Sequence, residues 1–131
     1  MKSIATPVIL AALMFSGAPG IAATPEQVLA GYSAQAGGAP SAARGKQFFS
    51  STHGREWSCA SCHGATPMQA GRHASTGKAI TPLAPAANAE RFADSVKVEK
   101  WFRRNCNDVA GRECTPAEKA DVMSWLVTLK P

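Results

Sequence analysis

Cys59, Cys62 and His63 stand together in the run Cys-Ala-Ser-Cys-His. Two thiols three positions apart share one side of a helical turn, and an imidazole follows the second directly. This C-x-x-C-H spacing suits covalent attachment of a haem. Each thiol adds to one porphyrin vinyl group to form a thioether, and the histidine becomes the proximal iron ligand. Covalent bonds retain the group in an open compartment from which a loosely held haem escapes. Two other chemistries use related spacing. A redox dithiol sits in a βαβ setting, and no strand pattern accompanies this one. A zinc site needs further ligands, yet Cys106 and Cys114 lack C-x-x-C spacing and have no neighbouring His.

An iron held by His63 still has a second axial position. Electron carriers of this size fill it with Met, or sometimes His, from the stretch before the last helix. From Thr81 to Thr115 this chain has neither. Met68 follows His63 too closely to loop around easily, and Met123 falls on an apolar stripe that marks it as core. His53 and His73 lie in Gly-rich loops and read as surface residues. Val98, Trp101, Phe102 and Asn105 recur at i, i+3, i+4 and i+7, so all four share one helix face. Asn105 is then either a polar group ending an inward stripe or an Asn favoured by local geometry near a helix C-terminus. Asn107 is off that face, and Asn88 lies in a Pro/Ala-rich loop. Arg103 and Arg104 are candidates to neutralise haem carboxylates or steady a ligand, or they form an exposed helix face. No catalytic acid or base declares itself.

The elements that must position these groups read as helices. Thr24-Pro25-Glu26-Gln27 offers a Thr cap, Pro in the first turn and Gln at the third position, opening a helix that ends near Gly37. Ser41 caps a second helix carrying Gly45 and Phe49, a spacing that lets another helix approach closely. A third runs from Ser95 to Asn105. Thr115-Pro116-Ala117-Glu118 is a capping box for the last, where Val122, Met123, Leu126 and Leu129 form the apolar stripe and Asp121, Ser124 and Thr128 the surface.

The whole chain has 131 residues, 45% hydrophobic and 18% charged, with net charge +5. That composition excludes a disordered chain, a coiled coil and a multidomain enzyme. No apolar run reaches the roughly 18 residues a membrane-spanning helix needs. Lys2, the apolar stretch Ile4 to Phe15 and the small residues that follow read as an export signal. Cleavage after Ala23 divides the chain into a leader, 1–23, and a single domain, 24–131; Ala22 is a one-residue alternative. No Cys stands at that point to carry a lipid. An oxidising exterior makes a Cys106–Cys114 disulfide the expected state of those thiols. The basic residues are dispersed, which disfavours nucleic acid; their modest excess suits acidic redox partners or serves solubility.

The chain resembles the SHP-type high-spin class I cytochromes c along most of its exported part. The resemblance is carried by Leu29-Ala30-Gly31-Tyr32, Ser58 to Ala65 around the C-x-x-C-H motif, Thr76-Gly77-Lys78, Pro82-Leu83-Ala84-Pro85 and Val98-Glu99-Lys100-Trp101. Arg104-Asn105-Cys106-Asn107, Cys114-Thr115-Pro116 and Glu118-Lys119-Ala120-Asp121 complete it. It implies a small all-α class I cytochrome c fold around one covalent haem c, with Asn105 as distal ligand in the ferric state and a Cys106–Cys114 disulfide. It also implies that the Asn leaves on reduction, that oxygen or nitric oxide then binds, and that the partners are a dihaem cytochrome c and a membrane cytochrome b in the periplasm. Amide oxygen is a hard, weak donor, which suits ferric iron better than ferrous. The competing functions are a permanently six-coordinate low-spin electron carrier using Met68, Met123 or a loop His, and a nitric oxide dioxygenase.

Overall fold

Each helix of the fold begins where a capping side chain permits it. The computed structural model describes residues 20–131. Helix α1 spans Pro25–Ala36; Thr24 and Gln27 cap it reciprocally, and Gly37 ends it at φ 68°. Helix α2, Ala42–Ser50, is capped by the Ser41 hydroxyl. The attachment motif forms its own short helix, α3, Cys59–His63. A two-stranded antiparallel hairpin follows, β1 Gly71–Arg72 against β2 Ala79–Ile80, with Gly71 opposite Ile80. After a 3-10 turn, Ala89–Phe92, come α4, Ser95–Ala110, and α5, Pro116–Leu126. The architecture is the expected all-α one, with the hairpin as its only strands among the described residues. None of these helices is long and apolar enough to cross a membrane. Most of the expected leader, residues 1–19, lies outside the described structure. At its far end the Ala23 N–H donates to the Ala93 carbonyl at 2.8 Å.

Helix α5 is the axis of the core. It packs against both α1 and α2, and Ala120, Val122, Met123, Trp125 and Leu126 are all buried there with Val28, Tyr32, Phe49, Phe92 and Val98. Gly45 makes the α2–α5 crossing possible, because a Cβ there would run into the Asp121 carbonyl. Enclosure on several sides corrects the expectation that Asp121 faces water: it is buried. Its carboxylate accepts the Arg44 guanidinium through Nε at 2.7 Å and Nη2 at 2.9 Å, and the Ser41 N–H at 2.6 Å. A paired carboxylate is tolerated where a lone one is not. Ser124 is half-buried and Thr128 is exposed, as a surface residue should be.

Helix α4 also runs five residues past its expected end at Asn105. Asp94 caps its start, and the chain stops only at Gly111, whose φ of 69° closes the last turn. Asn105 therefore sits inside the helix, which removes the reading of it as a C-terminal residue. The Cys106–Cys114 disulfide is present, with Cα atoms 5.6 Å apart. It ties α4, at the residue after Asn105, to the start of α5.

A second buried network joins three helices. Lys119 of α5 is buried, and its ammonium donates to both Glu99 carboxylate oxygens at 2.7 and 2.9 Å. The Tyr32 hydroxyl of α1 donates to the same carboxylate at 2.9 Å. Tyr32 in turn sets its ring edge-on to Phe102, with centroids 5.5 Å apart.

Candidate functional site

Ser58 and Ser61 cap α3 reciprocally, so the motif is held as one helical turn with both thiols free and half-buried. The hairpin locks against it. A Cβ on Gly71 would collide with the Cys62 carbonyl, and the Ala74 N–H donates to Cys62 Sγ at 3.2 Å. Below the motif opens a cavity of about 110 Å³, lined by Cys59, Cys62, His63 and apolar side chains such as Phe49, Leu83, Phe102 and Leu126. A second chamber shares His63, Phe102 and Asn105 with it and extends past Val98 and Trp101. All four residues of the α4 stripe thus line one chamber.

The electrostatics suit metal ligation. Burial, aided by the positive charge of Arg91, lowers the His63 pKa to about 4. The ring is therefore neutral at physiological pH, which is the form that binds a metal. Burial raises the Cys59 thiol to about 11, with Cys62 adding to the effect. A reactive redox thiol has a depressed pKa, and Cys59 is shifted the opposite way. No trio of His, Cys, Asp and Glu side chains converges as a metal cluster among the described residues, which leaves zinc without a ligand set. Two thiols beside a neutral imidazole, above a mostly apolar slot, fit a covalently held haem.

The other candidates separate by position. Met123 is fully buried in the core. Neither it nor Met68 lines either chamber. His53 stacks on Phe48, with ring centroids 4.1 Å apart, and its Nε2 donates to the Phe48 carbonyl at 2.8 Å. Asn88 donates to the Pro82 carbonyl at 3.3 Å and Asn107 borders only an outer groove. His73 departs from its surface reading: the hairpin folds it half-buried into the lining, edge-on to Trp57. Its Nδ1 accepts the Ser75 and Thr76 N–H groups, both at 3.3 Å, which places the ring proton on Nε2. Arg103 turns outward to pair with Glu113 at 3.1 Å, and Arg104 lies over the Trp101 ring, 5.6 Å from its centroid. Arg91 lines the cavity without any motif in the sequence to mark it.

Five helices wrapped around a cavity that a C-x-x-C-H turn overhangs define a class I cytochrome c. Residues 35–126 match the family described as a domain of unknown function, DUF1924. The chain belongs to that family and to the SHP-type cytochromes c. It is 49% identical over 122 residues to cytochrome c-type protein SHP of Cereibacter sphaeroides, covering 90% of this chain and 94% of that protein. A structure of oxidised SHP, described as an oxygen-binding cytochrome c, superposes with a TM-score of 0.77 at 50% identity, covering 84% of this chain and all of that one. Cytochrome c'' of Methylophilus methylotrophus is 46% identical over 94 residues, 69% of this chain and 65% of that protein. Its solution structure, described in terms of haem-ligand detachment, gives a TM-score of 0.71 at 38% identity over 82% of this chain and 94% of that one. The cofactor is one haem c.

Proposed function

We propose that the protein is an exported monohaem high-spin cytochrome c that accepts an electron and then binds oxygen or nitric oxide. Cys59 and Cys62 hold the haem through thioethers, His63 is the proximal ligand, and Asn105 is the distal ligand while the iron is ferric. The observation that carries the reading is the cavity lining: Asn105 is its one asparagine, and no methionine is in it. When bound, the haem supplies an iron that changes oxidation state. The rest is the work of the chain. The Asn105 amide oxygen is a weak, hard donor, suited to ferric iron and poorly suited to the softer ferrous ion, so on reduction it would leave a position open. Phe102 and the other apolar neighbours of Asn105 line that side, which suits a small uncharged ligand.

Electron delivery fits the outer face of α4. Val96 and Trp101 are exposed there, 79% and 44%, beside Lys97, Lys100 and Arg104, while Glu99 of the same helix is turned to Lys119. An acidic redox protein with an apolar centre complements that face. The resemblance points to a dihaem cytochrome c and a membrane cytochrome b. The leader supports a periplasmic location.

The test is the ferric optical spectrum of wild type and Asn105→Ala. Loss of the amide is expected to change the axial-ligand bands clearly. An unchanged spectrum rejects Asn105 as a ligand.

A further inference from the structure

The cavity contains one half-buried guanidinium without an acidic partner. Arg91, in the 3-10 turn, is half-buried and lines the chamber beside His63, Phe92 and Asn105. Its Nη1 donates to the Thr81 hydroxyl at 3.3 Å. The ion pairs of the described residues engage Arg44, Arg103, Arg112 and Lys119, never Arg91. Burial shifts its pKa downward with nothing to offset it, and its charge is felt at the His63 ring. A cation taken from water without a counter-ion is strongly unfavourable, so this arrangement is built for an anion. Lys78 and Arg104 border the same chamber, and its one carboxylate, Asp108, is exposed.

Haem brings such an anion. Its two propionates leave the porphyrin edge away from the vinyl groups, and the vinyl edge is the one that Cys59 and Cys62 engage. We propose that Arg91 is the counter-ion of a haem propionate, its planar fork gripping the carboxylate and fixing the charge close to the iron. Thr81 orients the guanidinium for this. Of the arginines that the sequence brings forward, Arg103 is turned away to Glu113, and Arg104 borders the chamber from an exposed position over Trp101. The inference rests on covalent attachment at Cys59 and Cys62 and is independent of Asn105.

The experiment uses the matured holoprotein, whose pyridine haemochrome spectrum first checks the thioethers separately. Wild type, Arg91→Gln and Arg91→Lys are compared by redox titration at pH 7 and by the propionate deformation band in resonance Raman spectra. Removing the cation and leaving the carboxylate unneutralised both favour ferric iron. Arg91→Gln is therefore expected to lower the one-electron equilibrium constant roughly tenfold, about 59 mV, and to move the propionate band. Arg91→Lys is expected to recover most of the potential while still moving the band, because it keeps the charge and loses the fork. The ferric spin-state bands stay put in both. A propionate band unmoved in every variant that matures overturns the assignment, whatever the potential does.

Discussion

Glu99→Gln probes how firmly the Asn105 helix is anchored. The Lys119 side chain is only 8% exposed, whereas that of Glu99 is 34% exposed. Removing one member of a buried pair costs about 3–5 kcal/mol because the remaining charge is stranded. Two features reduce this: solvent reaches Glu99, and glutamine still offers Lys119 and Tyr32 an acceptor oxygen. The expected loss is about 2 kcal/mol, measured by urea unfolding of the ferric holoprotein. Lys119→Met in the Glu99→Gln background is expected to recover part of the loss, since no buried ammonium remains. The pH dependence has a definite sign. Burial alone would raise the Glu99 carboxyl, but the hydrogen bonds from Lys119 and Tyr32 outweigh it and hold the group below the usual carboxylate range. Its contribution is present above about pH 4 and fades as pH falls through the lowered folded-state pKa. The acid-side loss should be shallower in Glu99→Gln. A loss under about 0.5 kcal/mol with no coupling to Lys119 would refute the anchoring argument.

Other perturbations give equally definite outcomes. Replacing Cys106 and Cys114 together with Ser opens a loop of sequence separation 8 and is expected to cost about 2.5 kcal/mol by loop-closure entropy, read in the same denaturation assay. Gly45→Ala should cost about 2 kcal/mol, because the added methyl meets the Asp121 backbone; a neutral result would mean that α2 and α5 separate freely. His73→Ala should leave the axial-ligand bands unchanged in both oxidation states, and a shift would move the distal assignment from Asn105 to this histidine.

Much of the architecture was legible because it is written locally. Thr24, Ser41 and Thr115 each cap the helix expected of them, since a hydroxyl and a nearby N–H are all that a cap requires. Gly45 announced a close helix crossing by its lack of a side chain. The thiol and imidazole groups were legible because attachment chemistry demands that spacing. Helix α4 was read short because Asn107 and Asp108 interrupt the apolar rhythm, although the backbone continues to Gly111. The hairpin escaped notice because its strands are two residues each and owe their place to packing on α3. Asp121 and Arg91 show the deeper limit. A buried charge is identified by what stands opposite it, and Arg44 is 77 residues away from Asp121 in the chain. Asn105 lay between these cases: its face was visible, but helical periodicity cannot name what the face encloses.

The central claim concerns a ligand that releases the iron on reduction, and carbon monoxide tests it directly. If the proposal holds and the Asn105 amide leaves on reduction, optical spectra of the dithionite-reduced holoprotein should change promptly and stoichiometrically when the gas is added. A reduced form that stays low-spin and inert to carbon monoxide would mean that a strong ligand remains bound, contradicting the account.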